Sequence, residues 1–263
     1  SSIGLQVFLI SVFINYFVKF FYFQRIKQLI LFSISSGLLI LLRGEFFIFV
    51  VFSLIFYFLD KKKIKEVIIS LVIIILTISP YLLRNYNLFG TLVITKSAGY
   101  NLLKGNNPLS KVEGVPMLGI EEKISPEIEE ELKNLKPNKQ YDLLVDKIFF
   151  NQAVKNIKEN PKRYFLLYFK KALSFVFIDI DSSYPGYYSV LNILPKLIIS
   201  LTTIISILMI FNFKLNLLNY FIIYYMLNIA LFSVFFILPR YSLSLLPIQI
   251  ILSMYLLKKI LKN

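Results

Sequence analysis

The chain has no cysteine, no histidine and no tryptophan. Without Cys or His there is no thiolate nucleophile, no disulfide, no imidazole base and no ligand set for structural zinc. Any chemistry must use Asp, Glu, Lys, Arg, Tyr, Ser or Asn, and the redox compartment stays open. Also missing are a glycine-rich phosphate loop, an Asp-x-Asp metal motif, a nucleophile elbow, and repeats with a period of roughly 20–50 residues. No cofactor is implied, and a metal requirement stays open.

Acidic residues are few, 15 against 29 Lys and Arg in 263 residues, a formal charge of +14. The segment 85–162 is nearly balanced, with 11 basic and 10 acidic residues, so the excess of 18 over 5 belongs to the apolar remainder. A nucleic-acid binder concentrates its excess on a folded polar face. Here the excess flanks apolar runs, as in positive-inside anchoring beside anionic lipid, and no nucleic-acid partner is expected.

What the chain has in abundance is hydrocarbon: 57% hydrophobic residues and a mean hydropathy of +0.70. That is too apolar for a soluble surface, so the sequence predicts an integral membrane protein. Lipid does not satisfy a bare backbone, and barrel-type alternation is absent, so the fold class expected is all-α. Seven runs approach the roughly 20 residues that cross a hydrocarbon core of about 30 Å: 5–23, 29–42, 46–59, 67–84, 190–210, 217–237 and 242–258. The second and third are short and meet at 43-RGE-45, where a bend is expected. The domain plan is 1–84 (about four spans), 85–189 (an exoplasmic loop and helices) and 190–263 (three spans).

The basic loops 24-QRIKQ-28, 60-DKKKIKE-66, Lys214 and 258-KKILKN-263 fall on one side if the spans alternate, and that side reads as cytoplasmic. The 43-RGE-45 corner, the polar segment after Leu83 and the 239-PRY-241 corner then share the exoplasmic face. The alternation also puts Ser1 outside. If the natural protein begins in the cytoplasm, an odd number of spans precedes Ser1 and the chain is a fragment.

A segment as long as 85–189 should carry its own structure. Ser125-Pro126 followed by Glu127, Glu129, Glu130 and Glu131 reads as a capped helix start with an acidic first turn. A second helix fits 141–159, with Leu144, Ile148, Ala153 and Ile157 near one face. Asn160-Pro161 starts a third, about 161–178, which is apolar but interrupted by Lys170-Lys171. It reads as an interfacial helix with its lysines toward phosphates, or else as an eighth span.

The densest polar stretch is 84-RNYNLFGTLVITKSAGYNLLKGNNP-108, with one Arg, five Asn, three Gly, two Tyr and two Lys. Asn and Tyr supply neutral donors and acceptors, Gly admits close backbone approach, and Lys or Arg supplies positive charge. These are groups suited to a sugar and its phosphate, although turn chemistry explains part of the pattern. Arg84 serves either as a snorkelling anchor or as part of that site. Arg43 and Glu45 form either a structural ion pair or part of a polar cavity. Arg240, at the last external turn, either holds a phosphate or anchors to headgroups. Asp179 and Asp181 are either a base pair or helix caps, and Glu121 to Glu131 read as a solvated face.

The order 42-LRGEFF-47, 84-RNYNLFG-90, 99-GYNLLKGNNP-108, 159-ENPKRYFLLYFKK-171 and 240-RYSLSLLP-247 resembles the GT-C superfamily of membrane glycosyltransferases, nearest to the protein O-mannosyltransferase and aminoarabinose-transferase types. The likeness covers nearly all of this chain and the latter part of such an enzyme, and Gly44 stands where relatives commonly have Pro. It implies transfer of a sugar, with inversion, from a polyprenyl-phosphate donor to a glycan, lipid or protein acceptor at the exoplasmic face, in a bacterial inner membrane the periplasmic one. By resemblance, Arg84, Tyr100, Asn101, Lys104, Asn106 and Asn107 line or shape the carrier and sugar cavity, and Arg240 faces the carrier phosphate. The family's catalytic acid lies in a first external loop, so the base is expected upstream of Ser1. The alternatives are a lipid-linked-glycan transporter or flippase, for which paired repeats and broken spans near mid-membrane would speak, and a structural membrane subunit.

Overall fold

The computed structural model describes residues 2–114, 126–211 and 214–261. Its helices are α1 (Ser2–Phe23), α2 (Ile26–Leu42), α3 (Phe46–Lys61), α4 (Ile64–Phe89), α5 (Ala98–Gly105), α6 (Pro126–Asn134), α7 (Tyr141–Glu159), α8 (Pro161–Val176), α9 (Val190–Ile210), α10 (Leu217–Ser233) and α11 (Leu246–Ile260), with a 3₁₀ segment Pro239–Leu245 before the last. Extended pairing among the described residues is limited to an isolated bridge between Lys111 and Gly114. The protein is an all-α membrane protein: Ile3–Phe23, Ile64–Phe89, Val190–Ile210 and Pro239–Ile260 are long and apolar enough to cross a bilayer. α2 and α10 are shorter apolar helices. The chain divides into two compact units, one of residues 1–84, 195–228 and 242–263, the other of residues 85–194 and 229–241.

The first unit is apolar on its outside as well as its inside. On α4, Val67, Ser70, Ile74 and Ile78 are buried at helical spacing while Ile68, Leu71, Val72, Ile75 and Leu76 are exposed. A helix whose exposed face is as apolar as its buried face suits hydrocarbon rather than water. Inside the unit, aromatic rings do the packing: Phe17 stacks on Tyr220 at 4.4 Å, Phe20 on Tyr57 at 4.3 Å, and Phe13 meets Phe32 at 5.3 Å.

Small polar residues join these helices. Ser33 on α2 and Ser70 on α4 share a hydroxyl hydrogen bond of 2.5 Å, Ser53 on α3 bonds the Tyr220 hydroxyl at 2.7 Å, and Ser206 on α9 donates to the Leu252 carbonyl at 2.6 Å. Between helices in lipid, packing and such bonds replace the hydrophobic drive that water would supply. Gly37 lets α2 approach α4 closely, since a Cβ there would lie 2.6 Å from the Thr77 Cβ. Pro80 cannot donate to the Leu76 carbonyl, and the neighbouring Ser79 hydroxyl donates to it instead at 3.0 Å, so the proline does not break α4.

In the second unit the helix starts read from the sequence at 126, 141 and 161 are where helices begin. Ser125, the cap expected for α6, lies outside the described residues, as do Glu121 and Glu122. At α8 the Asn160 Oδ1 accepts from the Arg163 amide at 3.3 Å and Pro161 occupies the first turn. The core joins α5, α6 and α7 through Leu102, Leu103, Ile128, Phe149 and Ala153. On α7 the buried residues are Phe149, Ala153 and Asn156, so the face turns somewhat from the expected one: Leu144, Ile148 and Ile157 are half-buried. α8 has 16 residues, about 24 Å of helix, and is not among the four long apolar helices.

Candidate functional site

The polar stretch after Leu83 begins as helix, not loop. α4 runs through 84-RNYN-87 to Phe89 and stops at Gly90, whose φ of +70° suits glycine. The sequence placed the helix end near Arg84; Asn85 explains the extension, since its Nδ2 donates to the Val93 carbonyl at 2.7 Å and satisfies the chain beyond the helix. Arg84 is exposed on α4 and belongs to the first unit. Arg43 and Glu45, also in the first unit, form an ion pair of 2.5 Å, and Arg43 Nη1 donates to Gln6 Oε1 at 3.2 Å.

The second unit holds the other expected residues, on α5 and the turn after it. α5 is fixed by Asp146 of α7, whose carboxylate accepts from the Gly99 amide at 3.0 Å and the Tyr100 amide at 2.8 Å. A carboxylate there meets unpaired amides and the positive end of the helix. Gly99 is required by the closeness of the two helices: a Cβ would lie 1.9 Å from the Asp146 carbonyl oxygen. Tyr100 packs edge-on against Phe149 at 6.2 Å, and Asn101 is half-buried.

Asn106 is a structural hub. Its Nδ2 donates to the carbonyls of Leu102 (2.9 Å) and Val234 (2.8 Å), its Oδ1 accepts from Lys171 at 3.3 Å, and its carbonyl accepts from Asn156 Nδ2 at 3.0 Å. Those bonds join α5, α7, α8 and the 234–236 segment at one residue. Asn107 forms the turn that follows, accepting from the Leu109 amide and donating its own to Ser110 Oγ, both at 2.9 Å. Both asparagines therefore shape the site through its backbone.

Lys104 and Arg240 are the charged pair that the fold brings together. Lys104 is half-buried on the last turn of α5, with its ammonium 4.4 Å from the centre of the Phe236 ring. Burial lowers its pKa from the usual lysine value, and the positive charge of Arg240 acts in the same direction. Among the described residues neither cation has a carboxylate within ion-pair distance. Two neighbouring cations, one partly desolvated and neither ion-paired among the described residues, make a local positive potential.

Lys171 corrects the reading of α8 with both lysines toward phosphates. It is 1% exposed, and its Nζ donates to the Gly105 carbonyl at 2.8 Å and to Asn106 Oδ1. Burial pushes its pKa down to about 7. Lys170 is exposed. Adjacent residues of a helix point about 100° apart, and here Lys171 turns inward while Lys170 faces out. Asp179 lies in the turn beyond α8: its Oδ1 accepts from the Asp181 amide at 3.1 Å, and its own amide donates to the Tyr187 hydroxyl at 2.8 Å.

Asp146, Asn156 and Lys171 were not singled out as supports of the site. The one signal for Lys171 was the Lys-Lys pair inside an apolar helix; for Asp146 and Asn156 the partners lie 46 to 50 residues away and no local pattern marks them. Comparison of the chain with family models, with curated proteins and with solved structures gives no match.

Proposed function

We propose that the chain is part of a GT-C-type membrane glycosyltransferase, which moves a sugar from a polyprenyl-phosphate carrier to an exoplasmic acceptor with inversion. The observation that carries this reading is the Lys104–Arg240 pair: two cations from distant segments, without a carboxylate between them among the described residues, on the polar unit of a membrane protein. In the reaction the bond from the sugar anomeric carbon to the phosphate oxygen breaks and a bond to the acceptor oxygen forms. The acceptor proton passes to a carboxylate base, which the resemblance puts in a first external loop. Lys104 and Arg240 stabilise the charge that grows on the departing phosphate. Tyr100, Asn101, Asn106 and Asn107 shape the wall around Lys104 and Arg240, and Arg84, at the end of α4's apolar run, contacts carrier lipid.

The test is sugar transfer from a radiolabelled polyprenyl-phosphate donor in membranes that carry the protein with its complete reading frame. Lys104→Ala, Arg84→Ala and Arg240→Ala are each expected to lower transfer by about 100-fold, the usual cost of one oxyanion-type donor, with membrane insertion intact. Normal transfer in Lys104→Ala and Arg240→Ala would remove the carrier-phosphate assignment. Absence of transfer by the natural protein, with the lipid-linked sugar appearing across the membrane, would favour a transporter.

A further inference from the structure

A second cationic feature of the polar unit shares no residue with the Lys104–Arg240 pair. A cleft of about 590 Å³ lies between α8 and the stretch 110–112. Lys162, Arg163, Leu166, Leu167 and Lys170 line one side of it, on a single face of α8 by their spacing. Lys111 lines the other side, so four cations meet one carboxylate, that of Asp181. Among the described residues the side chains of Lys111, Lys162 and Lys170 have neither an ion-pair nor a hydrogen-bond partner. Leu167 and Val112 are buried beneath them.

The cleft is built rather than incidental. The 110–112 side is tied to α8 through Arg163 Nη2, which donates to the Ser110 carbonyl at 3.4 Å, and to the segment after α10 through the Ile237 amide, which donates to the Val112 carbonyl at 2.9 Å. Glu113 next to it accepts from the Ser183 amide at 3.1 Å and from the Ser183 hydroxyl at 2.7 Å. Its shape does not depend on the lysines, which leaves their charge unspent.

Beside the cleft α8 carries an exposed apolar stripe at intervals of four residues: Phe165 (64% exposed), Phe169 (49%) and Leu173 (59%). Water disfavours such a stripe, whereas a bilayer interface takes an apolar face flanked by long cationic side chains. We propose that this cleft binds the phosphate of an anionic membrane phospholipid, with Lys111, Lys162, Arg163 and Lys170 around the headgroup and the acyl chains along Phe165, Phe169 and Leu173. Charge complementarity selects the headgroup, and the stripe favours a lipid over free phosphate. The inference is independent of the glycosyltransferase reading.

The experiment uses the full chain in a neutral detergent with fluorescent phosphatidylglycerol as the probe. Unlabelled phosphatidylglycerol should displace it, phosphatidylcholine should do so poorly, and millimolar inorganic phosphate should not. K162E/K170E is expected to raise the Kd by roughly tenfold or more, because each lysine near an anionic lipid contributes on the order of 1 kcal/mol. K162Q/K170Q should move it the same way by less. K136E/K139E, which makes the same change in total charge at exposed positions that do not line the cleft, should leave it within about twofold, since exposed charges not in contact with the headgroup are screened by salt. Unchanged binding in both cleft variants, or an equal loss in K136E/K139E, overturns the site. Displacement by inorganic phosphate as effective as by phosphatidylglycerol overturns the lipid assignment.

Discussion

The ammonium of Lys171 on α8 donates a hydrogen bond of 2.8 Å to the carbonyl of Gly105, 66 residues earlier in the chain, at the end of α5. Gly105 is the residue after Lys104, and a Cβ on it would lie 2.5 Å from the Phe235 backbone. A charge-capable side chain is thus spent on holding the backbone from which Lys104 projects. Its partners are carbonyl oxygens rather than carboxylates, so nothing offsets in full the cost of burying an ammonium.

That arrangement makes stability depend on pH. Below about pH 7, the value to which burial pushes Lys171, the group is charged in the folded and unfolded chains alike and carries its burial penalty in full. Between there and the ordinary lysine value near ~10.4, the unfolded chain keeps a proton that the folded chain has released, and stability rises with pH. Lys171→Met removes this dependence. The loss caused by the substitution should widen from pH 6.5 to pH 10 in thermal melts of the detergent-solubilised protein. A gap that stays constant across that range would mean that Lys171 titrates normally.

Asp146 joins α7 to the first amides of α5. Asp146→Ala should cost about 1–2 kcal/mol, the usual value of an N-terminal cap. Asp146→Asn keeps one acceptor and should cost less. Hydrogen exchange at Gly99 and Tyr100 reports the loss directly, and protection equal to that of the natural protein would contradict the capping role.

Gly99 allows no side chain. The Cβ of Gly99→Ala would meet the backbone of Asp146 at 1.9 Å, and backbone yields less readily than a flexible side chain. The helices must separate, at a cost of about 1–3 kcal/mol or more. Limited proteolysis of the 85–194 region should accelerate in this variant, and an unchanged cleavage rate would place α5 farther from α7.

In the membrane bundle, Ser33 and Ser70 share a hydroxyl bond while Ser33 also bonds the Leu29 carbonyl of its own helix. Because that second partner is available, the interhelical bond is expected to be modest. A double-mutant cycle with Ser33→Ala and Ser70→Ala should give a coupling of about 0.6 kcal/mol, the average for such bonds in a membrane protein. Strictly additive single-site effects would show that the α2–α4 contact depends on Gly37 and packing alone.

The sequence by itself determined the fold class, the membrane class and most helix starts. These follow from local rules: backbone that enters lipid must bond to itself within a helix, and Asn160-Pro161 at α8 carries its own capping chemistry. At Arg84 the local rules fell short, because the end of an apolar run is not the end of a helix when Asn85 supplies a further bond to Val93. The uses of the polar residues were decided only in three dimensions. From the sequence, Lys170 and Lys171 are alike, as are Asn106 and Asn107, yet one of each pair is buried as a structural link. Which lysine points inward, and that Lys104 comes to feel the charge of Arg240, depend on contacts between segments dozens of residues apart. Periodicity along one helix carries no information about partners on another.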